Sequence, residues 1–543
     1  MSLLDAYTAP LTADTASHLL RRATMGPTKA EIGSFTGLTA TQAYNQLLAN
    51  VQVNPEPIIY LDEGQPGFGQ VLTLTDAFNP DTNFFRLQSI RFWWIGLMAN
   101  QSRPPSLLEK LALFWQNHFV VSSEVVTEYR FIHRYLQLIR TQALGNFKSL
   151  VIAITTDPAM LEYLNGTDNV AGTPNENYAR ELQELFTVGE KDFDGNPNYS
   201  EQDVKEAARV LTGWQHFGYW WTGSTQMGSS FVANRHDGGA KQFSAHYNNT
   251  VIPGSTGPQA GTTELNALVN MLLAHPQTPR FICRKLFRWY VNPNVTPAIE
   301  NEVIIPLAQF FASTANNYQI EPVVRKLLTS NAFFEIANRG AIIKSPLELV
   351  VGAYRHFNLP PPVASQQPQA ARKYFDAIWW QTLTMQQSII AQPSVFGYEP
   401  YYQGTRSKGW ISSATLALRY QFADSLVWPW LQLTPTYKLG LDLVAWVTAM
   451  QPNFSNTADS PPVSTEAILA SFSQHLLVFN LNTAQQNFLI DTIMMQGIPR
   501  SSWNFEWNRY RQNPNNTDNY NGVRWRLSLL MRYLLRMAEY QVC

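Results

Sequence analysis

Helical periodicity is the feature that most constrains the fold of this chain of 543 residues. Apolar residues recur at three- and four-residue spacings, which place them on one face of a helix, as in "TADTASHLLRRATMG" and "SLLEKLALFWQNHFVVS". Helix boundaries are marked too: Gly26-Pro27 ends the first segment, and Ser106 is a candidate N-cap for the second. Alternating strand patterns are few. The sequence therefore predicts a mainly α-helical protein with long loops and little β-structure.

No fixed-period repeat and no clear linker divides the chain, which predicts one large, irregular helical domain over residues 1–543. Hydrophobic residues make up 45% of the sequence and aromatic residues 13%, enough to fill a large core. Residues 421–543 also have a helical pattern, and we interpret them as a C-terminal extension of the same domain.

Charge and hydropathy exclude several classes of partner. The sequence has 39 Lys and Arg against 40 Asp and Glu, a net charge of -1, and no basic stripe. Nucleic acid and an acidic membrane surface are therefore not expected partners. No run approaches the roughly 18 apolar residues that a membrane span requires. The first residues also lack the basic segment and apolar core of a Sec signal peptide, so the compartment stays open.

The motifs of familiar enzyme classes are missing from the sequence. It contains no GxSxG, no P-loop, no GxGxxG after a strand, no HExxH and no CxxCH. Its two cysteines, Cys283 and Cys543, form neither a CxxC motif nor a disulfide framework. Cys283 lies in an apolar helical segment and is expected to be a buried thiol. Interpretations as a known hydrolase, a nucleotide-binding protein or a covalent-haem protein therefore have no support.

A polar stretch within "ELFTVGEKDFDGNPNYSEQDVKEAARVLTGW" has the oxygen pattern of a calcium loop. Calcium takes six to eight oxygen ligands, which an EF-hand-type loop presents at positions 1, 3, 5, 7, 9 and 12. Those positions hold Asp192, Asp194, Asn196, the backbone carbonyl of Asn198, Ser200 and Asp203. Two features argue against calcium: Pro197 replaces the usual glycine at position 6, and an aspartate replaces the longer glutamate at position 12. The alternative is a capped turn, in which Ser200 and Asp203 form the capping pair of the next helix.

The helical segment before this loop, "NENYARELQELF", carries two glutamates one turn apart, Glu181 and Glu184. Paired carboxylates can bind a metal ion, or they can divide the roles of acid and base between them. Arg180 lies beside the pair and would supply positive charge. The alternative is a buried Arg–Glu network that fixes the packing of the helix.

Two histidines complete the set of candidate catalytic residues. His118 follows Leu111 by seven residues, on the apolar side of its helix, where a histidine is either a ligand or a satisfied core residue. His236 and Asp237 share the glycine-rich loop "HDGGAKQF" with Lys241, where buried packing is not expected. The His–Asp pair could bind a metal or act as acid and base, and Lys241 could hold an anionic group. The alternative is a surface turn.

Several segments, in the same order, resemble a bacterial family known as domain of unknown function 1800. Over residues 12–420 they include "HLLRRATMGPT", "LLEKLALFWQNHFVVSS", "DPAMLEYL", "PNENYARELQELFTVGE", "YSEQDVKEAARVLTGW", "HDGGAKQF", "RFICRKLFRWYV", "KSPLELVVGAYR" and "KGWISSATLALR". The resemblance implies an α-helical fold without a settled activity. Genes of the family often neighbour a sulfatase-like family, so a sulfatase-like protein encoded nearby is the implied partner. Many members are exported, although this chain lacks their signal, and Gln116 stands where the family more often has a second histidine.

Taken together, these motifs predict one polar pocket built from His118, Glu181, Glu184, His236 and Asp237. Arg180 and Lys241 would supply positive charge to a bound cofactor. Mixed histidine and carboxylate ligands suit a transition metal such as Zn, Mn or Fe. The corresponding function is a metal-dependent hydrolase or oxidase.

The alternative is a non-catalytic scaffold or partner-binding protein that acts with the sulfatase-like neighbour. Aromatic residues in polar or loop segments could form its recognition surface; they are Trp220, Trp221, Trp379, Trp380, Tyr401 and Tyr402. An enzyme predicts a concave pocket that holds the polar residues named above. A scaffold predicts that those residues pair internally while the aromatic side chains are exposed.

Overall fold

A computed structural model describes residues 2–53, 57–435 and 437–543 of the chain. This part of the chain is 55% helical and only 5% strand, which confirms the predicted mainly α fold. The first helices are α1 (Ala13–Ala23), α2 (Lys29–Phe35), α3 (Ala40–Ala49), α4 (Pro80–Ala99), α5 (Leu108–His118), α6 (Tyr129–Gln142), α7 (Phe147–Thr155), α8 (Pro158–Tyr163), α9 (Asn177–Glu181) and α10 (Glu201–Val210). The central helices are α11 (Ala260–Ala274), α12 (Gln277–Tyr290), α13 (Pro297–Ile299), α14 (Ile305–Ala312), α15 (Ile320–Leu328), α16 (Asn331–Phe334), α17 (Pro346–His356), α18 (Pro368–Thr384) and α19 (Ser413–Val427). The last are α20 (Leu443–Met450), α21 (Thr465–Ser473), α22 (Thr483–Asn487), α23 (Ser501–Gln512), α24 (Thr517–Arg536) and α25 (Ala538–Gln541).

The strands described by the structure form three small antiparallel pairs. The pairs are β1 (Trp214–Phe217) with β2 (Gly228–Phe231), β3 (Lys241–Gln242) with β4 (Val251–Ile252), and β5 (Leu431–Gln432) with β6 (Lys438–Leu439). β1 follows α10 directly, and β3 lies in the glycine-rich loop. Both pairs therefore fix the segment that carries His236 and Lys241.

Side-chain caps set the start of many helices, because the first four N–H groups of a helix have no partner within it. Thr12 accepts a hydrogen bond from the N–H of Thr15 at the start of α1. Ser200 and Asp203 form a capping box at the start of α10. α5 begins at Leu108, whose N–H is bonded to the side chain of Ser106, so the predicted cap residue lies one position further out than expected.

The core positions the candidate residues through two buried helices, α5 and α12. α5 is buried along nearly its whole length, and α12 buries Cys283, as expected for a structural thiol, together with Lys285. α12 packs against α11, α14 and α15. Because both helices are enclosed, polar side chains on them must find partners inside the protein.

The C-terminal helices return to the middle of the chain. α24 packs against α19, α20 and α23. After α25, the backbone forms an antiparallel bridge between Val542 and Ile343, with hydrogen bonds from Cys543 N to Ile342 O (2.8 Å) and from Lys344 N to Gln541 O (2.9 Å). These bonds connect the last residues to the segment that precedes α17.

None of the helices in the described residues combines the length and the apolar character required to cross a bilayer.

Candidate functional site

His118 is buried at the C-terminal end of α5 and has partners on both ring nitrogens. Its Nε2 lies 3.0 Å from Phe186 O, and its Nδ1 lies 3.1 Å from the Nζ of Lys285. Lys285 also donates to Leu185 O (3.1 Å) and lies 4.4 Å from the ring centroid of Tyr402. Burial and the neighbouring lysine lower the pKa of His118 well below its usual value, which keeps the imidazole neutral. Burial also lowers the pKa of Lys285 to about 7.

A π-helical turn, Leu182–Thr187, follows α9 and carries the backbone carbonyls that His118 and Lys285 contact. Inside the turn, the hydroxyl of Thr187 donates to Leu182 O (2.5 Å) across five residues. Such turns are rare and are found frequently at functional sites, since the wider winding redirects nearby side chains. The helical periodicity of "NENYARELQELF" gave no sign of it.

Glu181 and Glu184 lie at this turn and interact electrostatically. Burial, together with the charge of Glu184, raises the pKa of Glu181 to about 7. The Oε2 atom of Glu181 is buried and has no hydrogen-bond partner among the described residues. The hydroxyl of Tyr199 donates to Glu184 Oε2 at 2.9 Å. Two neighbouring carboxyl groups are thus placed in unequal environments, as acid and base pairs often are.

Arg180 does not bind this carboxyl pair. Its guanidinium donates two 2.7 Å hydrogen bonds to Glu201 and lies 3.3 Å from Glu176 on the protein surface. The predicted positive charge is therefore paired by other acidic residues.

His236 and Lys241 are enclosed, although their glycine-rich loop was expected to be exposed. Both contact Glu264 of α11. Lys241 forms a direct ion pair with its carboxylate. Nε2 of His236 lies 3.2 Å from Glu264 Oε1 but is not aligned for a hydrogen bond. Nδ1 of His236 lies 2.9 Å from Thr212 O. Glu264 also accepts a hydrogen bond from Ser255 N (2.8 Å). The loop folds over α11, so His236 and Lys241 do not belong to the surface turn considered as the alternative, and Lys241 is paired with Glu264.

Asp237 points to a different partner from its neighbour in sequence. Its carboxylate binds the guanidinium of Arg209 through contacts of 2.7 and 3.2 Å and accepts the N–H of Gly239. Arg209 holds the pKa of Asp237 below its usual range. His236 and Asp237 thus do not form a hydrogen-bonded pair.

Direct contacts among the described residues do not join the predicted pocket residues into one cluster, and a single shared pocket stays a prediction. His118 pairs with Lys285, Glu181 interacts with Glu184, and His236 lies against Glu264; no hydrogen bond or ring contact joins one group to another. His118, Asp237 and Lys241 find partners on neighbouring segments, whereas Glu181 Oε2 and His236 Nε2 have no hydrogen-bond partner among the described residues. Gln116, at the position where a second histidine was considered, pairs with Gln392.

Two carboxylates of the predicted calcium loop, those of Asp192 and Asp203, already accept hydrogen bonds. The carboxylate of Asp192 binds the N–H groups of Asp194 (3.0 Å) and Asn196 (2.8 Å). Asp203 accepts from the backbone and hydroxyl of both Ser200 and Ser244. The buried amide of Asn198 donates to the carbonyls of residues 188 and 189. Within residues 2–53, 57–435 and 437–543, no group of three or more His, Cys, Asp or Glu side chains is arranged to hold a metal ion.

Calcium binding at residues 192–203 stays a prediction, and thermal unfolding tests it. A bound ion would have to replace the hydrogen bonds that Asp192 makes, and would then stabilise the folded state by mass action. At calcium concentrations a hundredfold above the dissociation constant, the gain is about 2.7 kcal/mol. Unfolding curves that superimpose in calcium and in chelator would refute the prediction.

An exposed aromatic loop, residues 218–224, is held in place by a buried ion pair between Glu128 and Arg130. Arg130 donates to Ser224 O (2.8 Å) and Gly218 O (3.0 Å), and Glu128 accepts the N–H of Trp220 (2.8 Å). Trp220 adopts a φ of +55°, a conformation that non-glycine residues rarely take. Even so, its side chain is 41% exposed and that of Trp221 is 55% exposed.

Two more exposed apolar residues, Phe84 and Val125, belong to the segments around this loop. The indole N–H of Trp220 donates to the hydroxyl of Thr127 (3.2 Å), and Asn83, next to Phe84, donates to Thr127 O (2.8 Å). We call Phe84, Val125, Trp220 and Trp221 the aromatic patch. Of the other aromatic residues considered above, Trp380 is exposed, Trp379 is partly buried, and Tyr401 and Tyr402 are buried.

Sequence reasoning missed Lys285, Glu264 and the Glu128–Arg130 pair. Charged residues in otherwise apolar helices are the signal that could have found the first two, since an enclosed charge requires a partner. For Lys285 that signal is present in "RFICRKLFRWY". Glu128 and Arg130 gave no comparable signal, because charged residues at that position are typical of a solvent-exposed helix start.

Comparison with known proteins gives one match to a family model. The family described as "Protein of unknown function (DUF1800)" matches residues 18–542, nearly the whole chain. The match continues through residues 421–542. Neither the curated proteins nor the solved structures provide a match.

Proposed function

The chain belongs to the DUF1800 family, and from this membership and the aromatic patch we propose that it is a partner-binding protein whose partner is sulfatase-like. The family's description carries no activity. The observation that carries the proposal is the exposed Trp220 loop, which is fixed by a buried ion pair instead of being covered.

Rigid, exposed tryptophan is well suited to recognition. Tryptophan is enriched among the residues that dominate binding energy, and a preorganised loop loses less entropy when a partner binds. Strained backbone persists only where the surroundings hold it, and such strain clusters at functional positions. The Trp220 loop is both preorganised and strained, because contacts from Glu128 and Arg130 hold the loop while Trp220 has a positive φ.

The internal pairing of three candidate site residues supports the same proposal. Lys241 binds Glu264, Asp237 binds Arg209, and Arg180 binds Glu201. Groups that are satisfied internally are not free to bind a substrate, whereas they do stabilise the scaffold that presents the patch.

Replacement of Trp221 by alanine is expected to weaken binding to the proposed sulfatase-like partner by at least tenfold. Its side chain makes no hydrogen bond or ring contact within the described residues, so the fold should be unchanged. Biolayer interferometry with the immobilised partner measures the dissociation constant. Trp380→Ala is the matched control, because Trp380 is 56% exposed against 55% for Trp221 but lies on α18. Absence of binding by the unaltered chain, or equal losses in both variants, would contradict the proposal.

A second candidate function, acid–base or metal-assisted catalysis, rests on the unpartnered Oε2 of Glu181 beside Glu184.

A hydrolase or oxidase of this kind would retain Zn, Mn or Fe on purification, and Glu181→Gln would lower the metal content. Elemental analysis of the purified chain and of this variant measures both. Glu201→Gln serves as the control, since Glu201 is a surface carboxylate paired with Arg180. Metal-free protein would contradict the metal-assisted form, and a Glu181 titration midpoint near pH 4 in a ¹³C NMR experiment would contradict the acid–base form.

A further inference from the structure

A cavity of about 400 Å³ lies between α1, α21 and the segment that follows α21. One face of α1 contributes Asp14, His18 and Arg21, at the i, i+4 and i+7 positions that a helix brings together. This volume lies within the range of small-molecule sites. None of the candidate residues discussed above lines it.

Two arginines line the cavity without a strong carboxylate partner. Arg339 lies 3.8 Å from Asp14, and its Nε atom is buried with no hydrogen-bond partner among the described residues. Arg21 donates to the backbone carbonyls of His475 and Leu476 and binds no carboxylate through the hydrogen bonds found in the described chain. Glu466 also lines the cavity, but its carboxylate pairs with Arg500. The positive charge of the cavity wall is thus only partly balanced.

The backbone at His475 and an adjoining cleft bring further polar groups close to the cavity. His475 adopts a φ of +56° where Arg21 holds its carbonyl. An adjoining cleft shares Arg21 and contains Lys344 and His356, whose Nε2 is also buried without a hydrogen-bond partner among the described residues. Burial, followed by the charges of Lys29, Arg21 and Lys344, lowers the pKa of His356 well below its usual value. Glu348 also lines this cleft but pairs with Lys110, and Cys543 and Asp14 interact favourably with Arg21, so the charge of the cationic side chains is only partly balanced here.

Other residues that line the cavity are apolar. They include Leu469, Leu477 and Ile490, which are themselves buried in the core. A ligand that contacts both kinds of lining residue carries an oxyanion and an apolar body.

We propose that this cavity binds a small organic anion, whose phosphate or carboxylate group is held by Arg21 and Arg339 and whose apolar body lies against Leu469 and Ile490. Guanidinium groups suit either head group, because they donate paired hydrogen bonds in a planar geometry that matches both oxyanions. The site is distinct from the aromatic patch, so the inference stands independently of the proposed function.

Isothermal titration calorimetry of the full chain with phenyl phosphate, benzoate and uncharged benzyl alcohol tests the proposal. One or both anions are expected to bind more weakly as salt is raised, and benzyl alcohol is expected not to bind. The stronger of the two anions identifies the head group. Arg339→Gln should weaken binding at least tenfold, whereas Arg406→Gln, which removes an exposed arginine from the segment Gly404–Trp410, should leave it unchanged.

A second variant keeps the test valid if Arg339→Gln does not fold. Ala470 lines the cavity from an exposed position on α21, so Ala470→Phe should fill the space and abolish binding without disturbing the core. Failure of both anions to bind, equal binding of benzyl alcohol, or unchanged affinity in a folded Arg339→Gln or Ala470→Phe variant would overturn the proposal.

Discussion

Replacement of Glu264 by alanine is expected to lower the free energy of unfolding by about 3–5 kcal/mol. Glu264 and Lys241 are both almost completely buried, and the carboxylate is the only acidic partner of the lysine in the described residues. Removal of the carboxylate leaves an ammonium group enclosed with the carbonyl of Asp237 as its remaining contact. An uncompensated buried charge costs several times more than the loss of a surface ion pair. Urea denaturation followed by circular dichroism measures the change.

Two further variants separate the loss of the charge partner from the loss of packing. Glu201→Ala removes a surface carboxylate from its pair with Arg180 and should cost less than about 1 kcal/mol. The double variant Lys241→Met with Glu264→Leu replaces both charges by apolar groups of similar size and should recover most of the stability. If the double variant is as unstable as Glu264→Ala alone, the lost interaction is not the charge pair.

Replacement of Lys285 by methionine is expected to stabilise the protein at neutral pH and to flatten its stability between pH 7 and pH 10. Burial lowers the pKa of Lys285 from 10.5 to about 7, so in this window the unfolded chain binds a proton that the folded chain does not. Stability of the unaltered protein therefore rises with pH, by about 1.4 kcal/mol per pH unit for this group. Across the window the contribution amounts to about 3–4 kcal/mol.

The measurement is the difference in unfolding free energy between the protein and Lys285→Met at several pH values. Methionine keeps the length of the side chain that packs against Phe281 and Tyr402, while the ammonium group is lost from His118. Lys408→Met, at an exposed position, is the control and should give a flat difference. A difference that stays constant with pH for Lys285→Met would show that the lysine is charged in the folded protein throughout.

Residue spacing predicted the local features of this fold well. The apolar side of α5 required His118 to be enclosed, and the structure leaves its side chain 1% exposed. The three-residue spacing of Ser200 and Asp203 was enough to suggest a capping pair, because both hydrogen bonds of that pair form within one turn. Family membership was recognisable from the order of short motifs and is confirmed.

The partners of the candidate residues could not be predicted, because they come from distant parts of the chain. Lys285 lies 167 residues from His118, and only the packing of α12 against the turn after α9 brings them together. Loop composition likewise could not separate exposed Trp221 from buried Tyr402, since both lie in irregular segments and only the tertiary neighbours differ. Local patterns determine which face of a helix is buried, but they do not specify what it is buried against.

The backbone bridge between Ile343 and Val542 has a consequence for synthesis of the protein on the ribosome. Its two sides are 199 residues apart, and at about 5–20 residues per second that interval takes roughly 10–40 s. During this time residues 342–344 have been made but lack the backbone partners that residues 541–543 later supply. Lys344 is partly buried, and its ammonium group, which donates to Tyr540 O, lacks this partner during the same interval. The nascent chain therefore exposes an unpaired backbone edge beside α17 until residues 541–543 have been made, and in that interval the edge is open to pairing with another chain.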